Sequence, residues 1–276
     1  MSKPDLSPLR AALPSALVAL DFDGTLAPIA PHPGDARPVP GVREVLRDLL
    51  ATGATVAVIT GRNVASLLAV SGFAEVPGLI IYGTHGAERW QAGELRRPSP
   101  PPGLNELRHA LPPLLEQACS DPAVWVEDKE LSLVIHARLT GDPERVLSAL
   151  RAPVEKAAAA AGLGVRPGRE VLEICIPGLD KGTAIRELVD DATAAVCYAG
   201  DDVGDLHAVA EVRAWARRTG RPSLTVGVSQ DGHGPVAEVA DITVADPPGV
   251  VALLREVISR QDGRLAPGGG SGRREE

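Results

Sequence analysis

The chain has 276 residues, 44% of them hydrophobic, and a formal net charge of −8, which is enough for one large domain or two smaller ones. An acidic chain with only 3% aromatic residues argues against a nucleic-acid partner, which calls for cationic surface against phosphates and rings against bases. No apolar run reaches membrane-spanning length, and the first residues lack the apolar stretch of a signal peptide. The three cysteines, Cys119, Cys175 and Cys197, form no C-x-x-C pair, so free thiols in a reducing cytoplasm are expected.

In chain order, residues 1–14 read as a flexible lead-in. Residues 16–21 form an apolar run with the look of a buried parallel strand. A Pro-rich loop follows from Pro28 to Pro40. An amphipathic helix is predicted over Val42–Thr52, with Val42, Val45, Leu46, Leu49 and Leu50 on one face. Strands at Thr55–Thr60 and Gly78–Tyr82 flank a helix at Val64–Ser71, so the pattern is β-α-β-α-β. That order predicts a parallel sheet with right-handed crossovers.

The pattern breaks at Arg97-Pro98-Ser99-Pro100-Pro101-Pro102-Gly103. Beyond it come a helix near 104–118, strands at 124–128 and 131–139, a helix opened by Asp142 and Pro143, and short strands at 165–167 and 171–176. From Pro177-Gly178 the first style returns: helix 181–189, strand 194–199, helix 205–212, strands 224–228 and 242–244, and helix 250–259. The Gly-rich, charged end is expected to be disordered. The simplest architecture is an α/β core over residues 15–102 and 178–262, interrupted by an α+β insertion over 103–177, with a tail at 263–276.

The chemistry gathers where strands end. Asp21 and Asp23, followed by Gly24, stand at the mouth of the first strand, where open α/β sheets bind ligands. Such a carboxylate pair is tolerable if a cation sits between the groups or if one of them stays protonated. Thr60-Gly61-Arg62 ends the second strand, and a hydroxyl, local N–H groups and a guanidinium suit a phosphate. Arg62 reads equally well as a structural ion-pair partner. Lys181 opens a helix and would neutralise a transferring phosphoryl group. Gly200-Asp201-Asp202-Val203-Gly204-Asp205 follows another apolar strand. Its acids suit a hard cation such as magnesium, which takes oxygen ligands.

These four pieces, in this order, resemble the motifs of the haloacid dehalogenase superfamily. The resemblance implies a Rossmann-like parallel-sheet core with an inserted cap, and phosphoryl transfer to Asp21 as nucleophile. It implies Asp23 as general acid and then base, and phosphate binding by Asp21, Thr60, Gly61, Arg62 and Lys181. It also implies Mg2+ held by Asp21, the backbone carbonyl of Asp23, Asp201 and Asp202, with Asp205 as a further ligand or a support. The cap segment Glu127-Asp128-Lys129-Glu130-Leu131-Ser132-Leu133-Val134-Ile135-His136-Ala137-Arg138 and the spacing from Glu173 to Lys181-Gly182 resemble the trehalose-6-phosphate phosphatase family over roughly residues 16–245. That narrower resemblance implies magnesium-dependent hydrolysis of trehalose 6-phosphate, a step of trehalose biosynthesis; a cytoplasmic setting and a monomer are expected besides. Lys129, Ser132, His136, Arg138 and Glu173 would hold the sugar. A phosphatase for another sugar phosphate, a sugar phosphomutase and a catalytically weak sugar-phosphate sensor remain open alternatives. His85, in Gly83-Thr84-His85-Gly86, reads as a loop tie, and Glu127 and Asp128 carry no assignment. The family's fourth motif, G-D-D-x-T-D-E, is altered here: Gly204 stands for Thr and Leu206 for Glu.

Overall fold

The computed structural model describes residues 5–168 and 170–259. The chain enters through a short helix, α1 (Ser7–Ala12), and passes into β1 (Ala16–Leu20), α2 (Val42–Ala51), β2 (Thr55–Ile59), α3 (Val64–Ser71) and β3 (Ile80–Gly83). A hairpin of β4 (Glu88–Gln91) and β5 (Glu94–Arg96) follows. The second unit holds α4 (Pro102–Ala118), β6 (Trp125–Asp128), β7 (Leu133–His136), α5 (Pro143–Ala160), β8 (Gly164–Gly168) and β9 (Val171–Cys175). The chain then returns through α6 (Lys181–Leu188), β10 (Ala195–Gly200), α7 (Leu206–Thr219), β11 (Ser223–Val228), β12 (Ile242–Val244) and α8 (Pro247–Ser259).

The large sheet has the order β12-β11-β10-β1-β2-β3-β4-β5. Every pair from β12 to β3 is parallel, and β4 and β5 add an antiparallel edge. β1 is buried along its whole length and β10 likewise, as expected of strands with helices on both faces. One apolar layer joins Leu46, Leu49, Val58, Leu254 and Val257 below the sheet. The other joins Tyr82, Ile185, Tyr198, Val212 and Trp215 above it. From β1 the chain winds outward one way through β2 and β3. After the second unit it winds the other way through β10, β11 and β12. The strand order therefore reverses at β1, and a crevice opens beyond the carboxyl ends of β1, β2 and β10.

The second unit is an antiparallel sheet, β6-β7-β9-β8. One of its faces buries Leu133, Ile135, Leu172 and Ile174 against Leu107, Leu111, Leu150 and Val154 of α4 and α5. The opposite face carries His136, Val134 and Glu173, which line a cavity shared with the core.

Three sequence expectations change. Residues 5–14 are no loose lead-in: α1 and its flanks bury Leu6, Leu9 and Leu13 in the core. The β4–β5 hairpin was not anticipated, and α7 runs seven residues past the expected end at Val212, to Thr219. There Gly220, at φ 68°, ends it, as glycine in the left-handed region commonly does. The tail at 263–276 lies outside the described residues.

Candidate active site

Asp21 follows β1 directly, and its amide N–H donates to the carbonyl of Ala199 on β10 at 2.9 Å. The chain then turns sharply: the Leu26 and Ala27 amides both donate to the Phe22 carbonyl. Gly24 makes that turn at φ +79°, and a Cβ there would lie 2.1 Å from Oδ2 of Asp201. Only a residue without a side chain permits so close an approach of the β1 and β10 loops.

Lys181, in the first turn of α6, reaches between two acids. Its Nζ lies 2.6 Å from Asp21 Oδ1 and 2.7 Å from Asp205 Oδ1, and all three side chains are nearly inaccessible. Burial acts to lower the Lys181 ammonium, but Asp205 and Asp21 outweigh it and hold it well above the ordinary lysine value. Burial, then Asp205, push the Asp21 carboxyl well up, while Lys181 pulls it down. Burial and Asp205 likewise push Asp201 up to about 7. The cluster is therefore short of positive charge, which a cation would supply.

The donor set bears on which cation fits. Carboxylate oxygens of Asp21, Asp201 and Asp205 lie within 4.8 Å of one another. Asp201 Oδ1 is buried with no hydrogen-bond partner. Asp205 differs. Its Oδ1 accepts from Lys181 and from the Tyr198 hydroxyl, and its Oδ2 from the backbone N–H groups of Asp201 and Asp202. Four donors leave Asp205 the role of an anionic strut that shapes the loop and steadies Lys181. Among the carboxylates, Asp21 and the orphaned oxygen of Asp201 are the ligands on offer, all hard oxygen and suited to magnesium. The Asp202 carboxylate is otherwise engaged. Asp202 accepts from the Val203 amide and caps the turn Val203–Asp205. Asp23, expected to offer a metal its backbone carbonyl, has both side-chain oxygens bound by Arg62, Nε to Oδ2 and Nη2 to Oδ1, each at 2.7 Å.

Arg62 also donates to the Pro33 carbonyl at 2.6 Å and lies over the Phe22 ring. In the structure it is an ion-pair partner that still lines the cavity beside Thr60 and Gly61. Thr60 is buried, and its Oγ1 accepts from the Arg62 amide at 3.2 Å.

The cavity measures about 620 Å³, inside the range of about 300–1,000 Å³ usual for small-molecule sites. Asp21, Thr60, Lys181 and Asp201 form its floor, and Lys129, His136, Arg138 and Glu173 its opposite wall. Of the thirteen residues expected to act in catalysis, binding or metal ligation, twelve line the cavity, Asp202 among them while its side chain caps its own turn. Ser132 is the exception. It is fully buried behind the wall, where its hydroxyl donates to Glu173 Oε1 at 2.8 Å. Ser132 therefore orients Glu173 and does not face the cavity. Burial works to raise the Glu173 carboxyl, but His85, Lys129 and Arg166 outweigh it and hold it well below the usual carboxylate range.

Four residues without an assigned role from sequence also matter. Glu127 pairs with His136 at 3.0 Å, and the His136 ring stacks on Trp125 at 3.8 Å. Arg166 reaches Glu173 at 3.4 Å, and His85 meets Glu173 at 2.8 Å. The i, i+2 alternation of β7 could have suggested the Glu127–His136 pairing. Nothing in the sequence aims His85 or Arg166.

A parallel sheet whose crevice holds two Asp-bearing loops, a buried lysine and a lid-like second unit defines the haloacid dehalogenase fold. Solved structures agree. A trehalose-6-phosphate phosphatase related protein superposes with a TM-score of 0.69 at 22% identity, over 91% of this chain and all of that one. The C-terminal domain of the Candida albicans trehalose-6-phosphate phosphatase gives 0.73 at 18% identity, over 92% and 97%. The trehalose-phosphatase family model matches residues 19–245, and the chain belongs to that family. Relatives include a trehalose-phosphate phosphatase of Mycobacterium leprae, 31% identical over 264 residues, which is 88% of this chain and 57% of that protein. One from Mycobacterium marinum is 35% identical over 209 residues, 70% of this chain and 50% of that protein. The chain thus spans about half the length of the curated relatives it matches.

Proposed function

We propose that this chain hydrolyses trehalose 6-phosphate to trehalose and inorganic phosphate through an aspartyl-phosphate on Asp21. The observation that carries the reading is the placement of a buried, lysine-paired carboxylate, Asp21, on the floor of a cavity whose other wall is sugar-suited. Membership of the trehalose-phosphatase family supports the substrate.

In this account the ester phosphate rests on Thr60, the Gly61 backbone and Lys181. Asp21 attacks phosphorus as the bond to the sugar oxygen breaks, and Asp23 gives that oxygen a proton. Water then attacks the same phosphorus, Asp23 takes the proton back, and the bond to Asp21 breaks. Both Asp23 oxygens are on Arg62, so the pair must loosen as substrate enters. Lys181 stays fixed by Asp205, which costs no reorganisation as charge develops. Asp21 and Asp201 would hold magnesium, and the ion supplies charge stabilisation to the transferring phosphoryl group. Lys129, His136, Arg138 and Glu173 offer mixed donors and acceptors to the sugar hydroxyls. The three free thiols support a cytoplasmic setting.

The test is phosphate release from a panel of sugar phosphates, with and without chelator. The account expects trehalose 6-phosphate to lead the panel and chelator to abolish turnover. Equal rates across the panel would point to a broader sugar phosphatase, and tight binding without turnover in magnesium to a sensor.

A further inference from the structure

We infer that His85 is a positioning residue: from the core it seats Glu173 of the β6–β9 sheet at the cavity wall, and so ties closure of that sheet to sugar binding. The kinetic part of this inference rests on the sugar-phosphatase reading above; the conformational part does not.

The ring is placed by an unusual loop. Thr84 and His85 both lie in the left-handed region, at φ 46° and 55°, which non-glycine residues visit rarely and at a cost. The conformation is held from β2. The Thr84 amide donates to the Arg62 carbonyl at 2.7 Å and the His85 amide to the Thr60 carbonyl at 2.9 Å. The loop that carries His85 is therefore pinned to the strand end that carries the phosphate-side residues Thr60, Gly61 and Arg62. The imidazole then lies against two glycines. A Cβ at Gly61 would fall 2.8 Å from Nε2, and one at Gly204 would fall 3.6 Å from Cε1. Gly204 is the position where the family motif carries Thr, and a Cβ there would meet the ring at ordinary contact distance.

Across the gap, His85 Nε2 meets Glu173 Oε2 at 2.8 Å, with side-chain exposures of 15% and 6%. The remaining Glu173 oxygen is taken by Ser132, and Arg166 stands at 3.4 Å. Burial, reinforced by Arg166 and Lys181, keeps the imidazole below the ordinary histidine value against the pull of Glu173, so at neutral pH it is an uncharged N–H donor. A buried carboxylate stripped of such a donor loses a strong hydrogen bond. Other bridges between the two units run from Lys129 Nζ to the Gly61 carbonyl at 3.1 Å, from Arg138 Nη1 to the Pro31 carbonyl at 3.5 Å and from Arg166 to the Leu179 carbonyl, while the side-chain pair Arg97–Glu130 lies outside the cavity lining. His85–Glu173 joins side chain to side chain at the junction of the phosphate floor and the sugar wall. It can therefore sense both whether the sheet is down and where Glu173 points.

The experiment compares wild type, His85→Ala and His85→Gln, whose terminal amide can replace the Nε2 donor. Two readouts are taken: the ratio of kcat/KM for trehalose 6-phosphate to that for a small aryl phosphate, and the radius of gyration without substrate by X-ray scattering. His85→Ala is expected to lower the ratio at least about tenfold, through KM for the sugar phosphate, and to enlarge the molecule; His85→Gln recovers part of both. If His85→Ala does not fold, Glu173→Gln tests the same contact from the other side. A ratio within twofold of wild type and an unchanged radius overturn the inference. A wild type that cleaves only the aryl phosphate defeats the substrate reading instead, and scattering then decides the latch by itself.

Discussion

Arg62 grips Asp23 at two points, Nε to Oδ2 and Nη2 to Oδ1, both at 2.7 Å. The guanidinium is buried and the carboxylate is about a third exposed. A planar fork on a carboxylate fixes direction as well as charge, and lysine cannot reproduce it. Arg62→Lys is therefore expected to behave as a loss, lowering kcat/KM by about 10- to 100-fold. In a double-mutant cycle with Asp23→Asn, the two changes should couple by about 1 kcal/mol, a value discounted for the exposure of Asp23. Additive effects in that cycle would separate the two residues.

Gly24 is the second point of sensitivity. Its φ of +79° disfavours any side chain, and a Cβ would stand 2.1 Å from Asp201 Oδ2. Gly24→Ala should lower stability by about 1–2 kcal/mol from the backbone alone. By displacing Asp201 it should also weaken magnesium binding, so the melting temperature falls and the metal titration shifts together. An alanine variant with wild-type metal affinity would show that Asp201 does not need its present approach to the β1 loop.

The acid cluster predicts how metal binding depends on pH. Burial and Asp205 push Asp201 up to about 7, and a carboxyl must shed its proton to ligate a cation. Below that pH the metal must displace a proton, and above it the ligand is already free. Apparent magnesium affinity should thus rise through pH 6 to 8, changing by up to about tenfold per unit below 7. Calorimetric titration at several pH values measures this. The sign for stability is the reverse: a carboxyl raised in the folded state favours the metal-free fold at low pH, and this contribution fades as pH climbs from about 4 through about 7.

Much of the core was legible because its strands are short, unbroken apolar runs: TVAVI of β2 and ALVAL of β1 have no other reading next to their turn residues. The β4–β5 hairpin was not. Its two-residue turn, Ala92 at φ 53° and Gly93 at φ 86°, takes the twisted geometry usually signalled by Asn-Gly, and alanine hides it. The helix at Ser7–Ala12 is too short to show a period; tertiary burial of Leu6, Leu9 and Leu13 decides it.

At the site, residue types and their order pointed to the correct strand ends, but not to which way each acid turns. Asp202 and Asp205 are three residues apart in one loop. One caps a turn and the other accepts four hydrogen bonds beneath Lys181, a distinction set by backbone dihedrals. Ser132 shares the parity of His136, yet it lies behind Glu173. His85 looked like part of a turn because two consecutive left-handed residues, neither glycine, leave no trace in the sequence.

The central claim is that the Asp21 carboxylate is the attacking group. The direct measurement is phosphate release from trehalose 6-phosphate by Asp21→Asn in saturating magnesium, beside a melting curve that reports the fold. The account predicts a folded protein whose turnover falls by on the order of a thousandfold or more. Turnover within tenfold of wild type would contradict it.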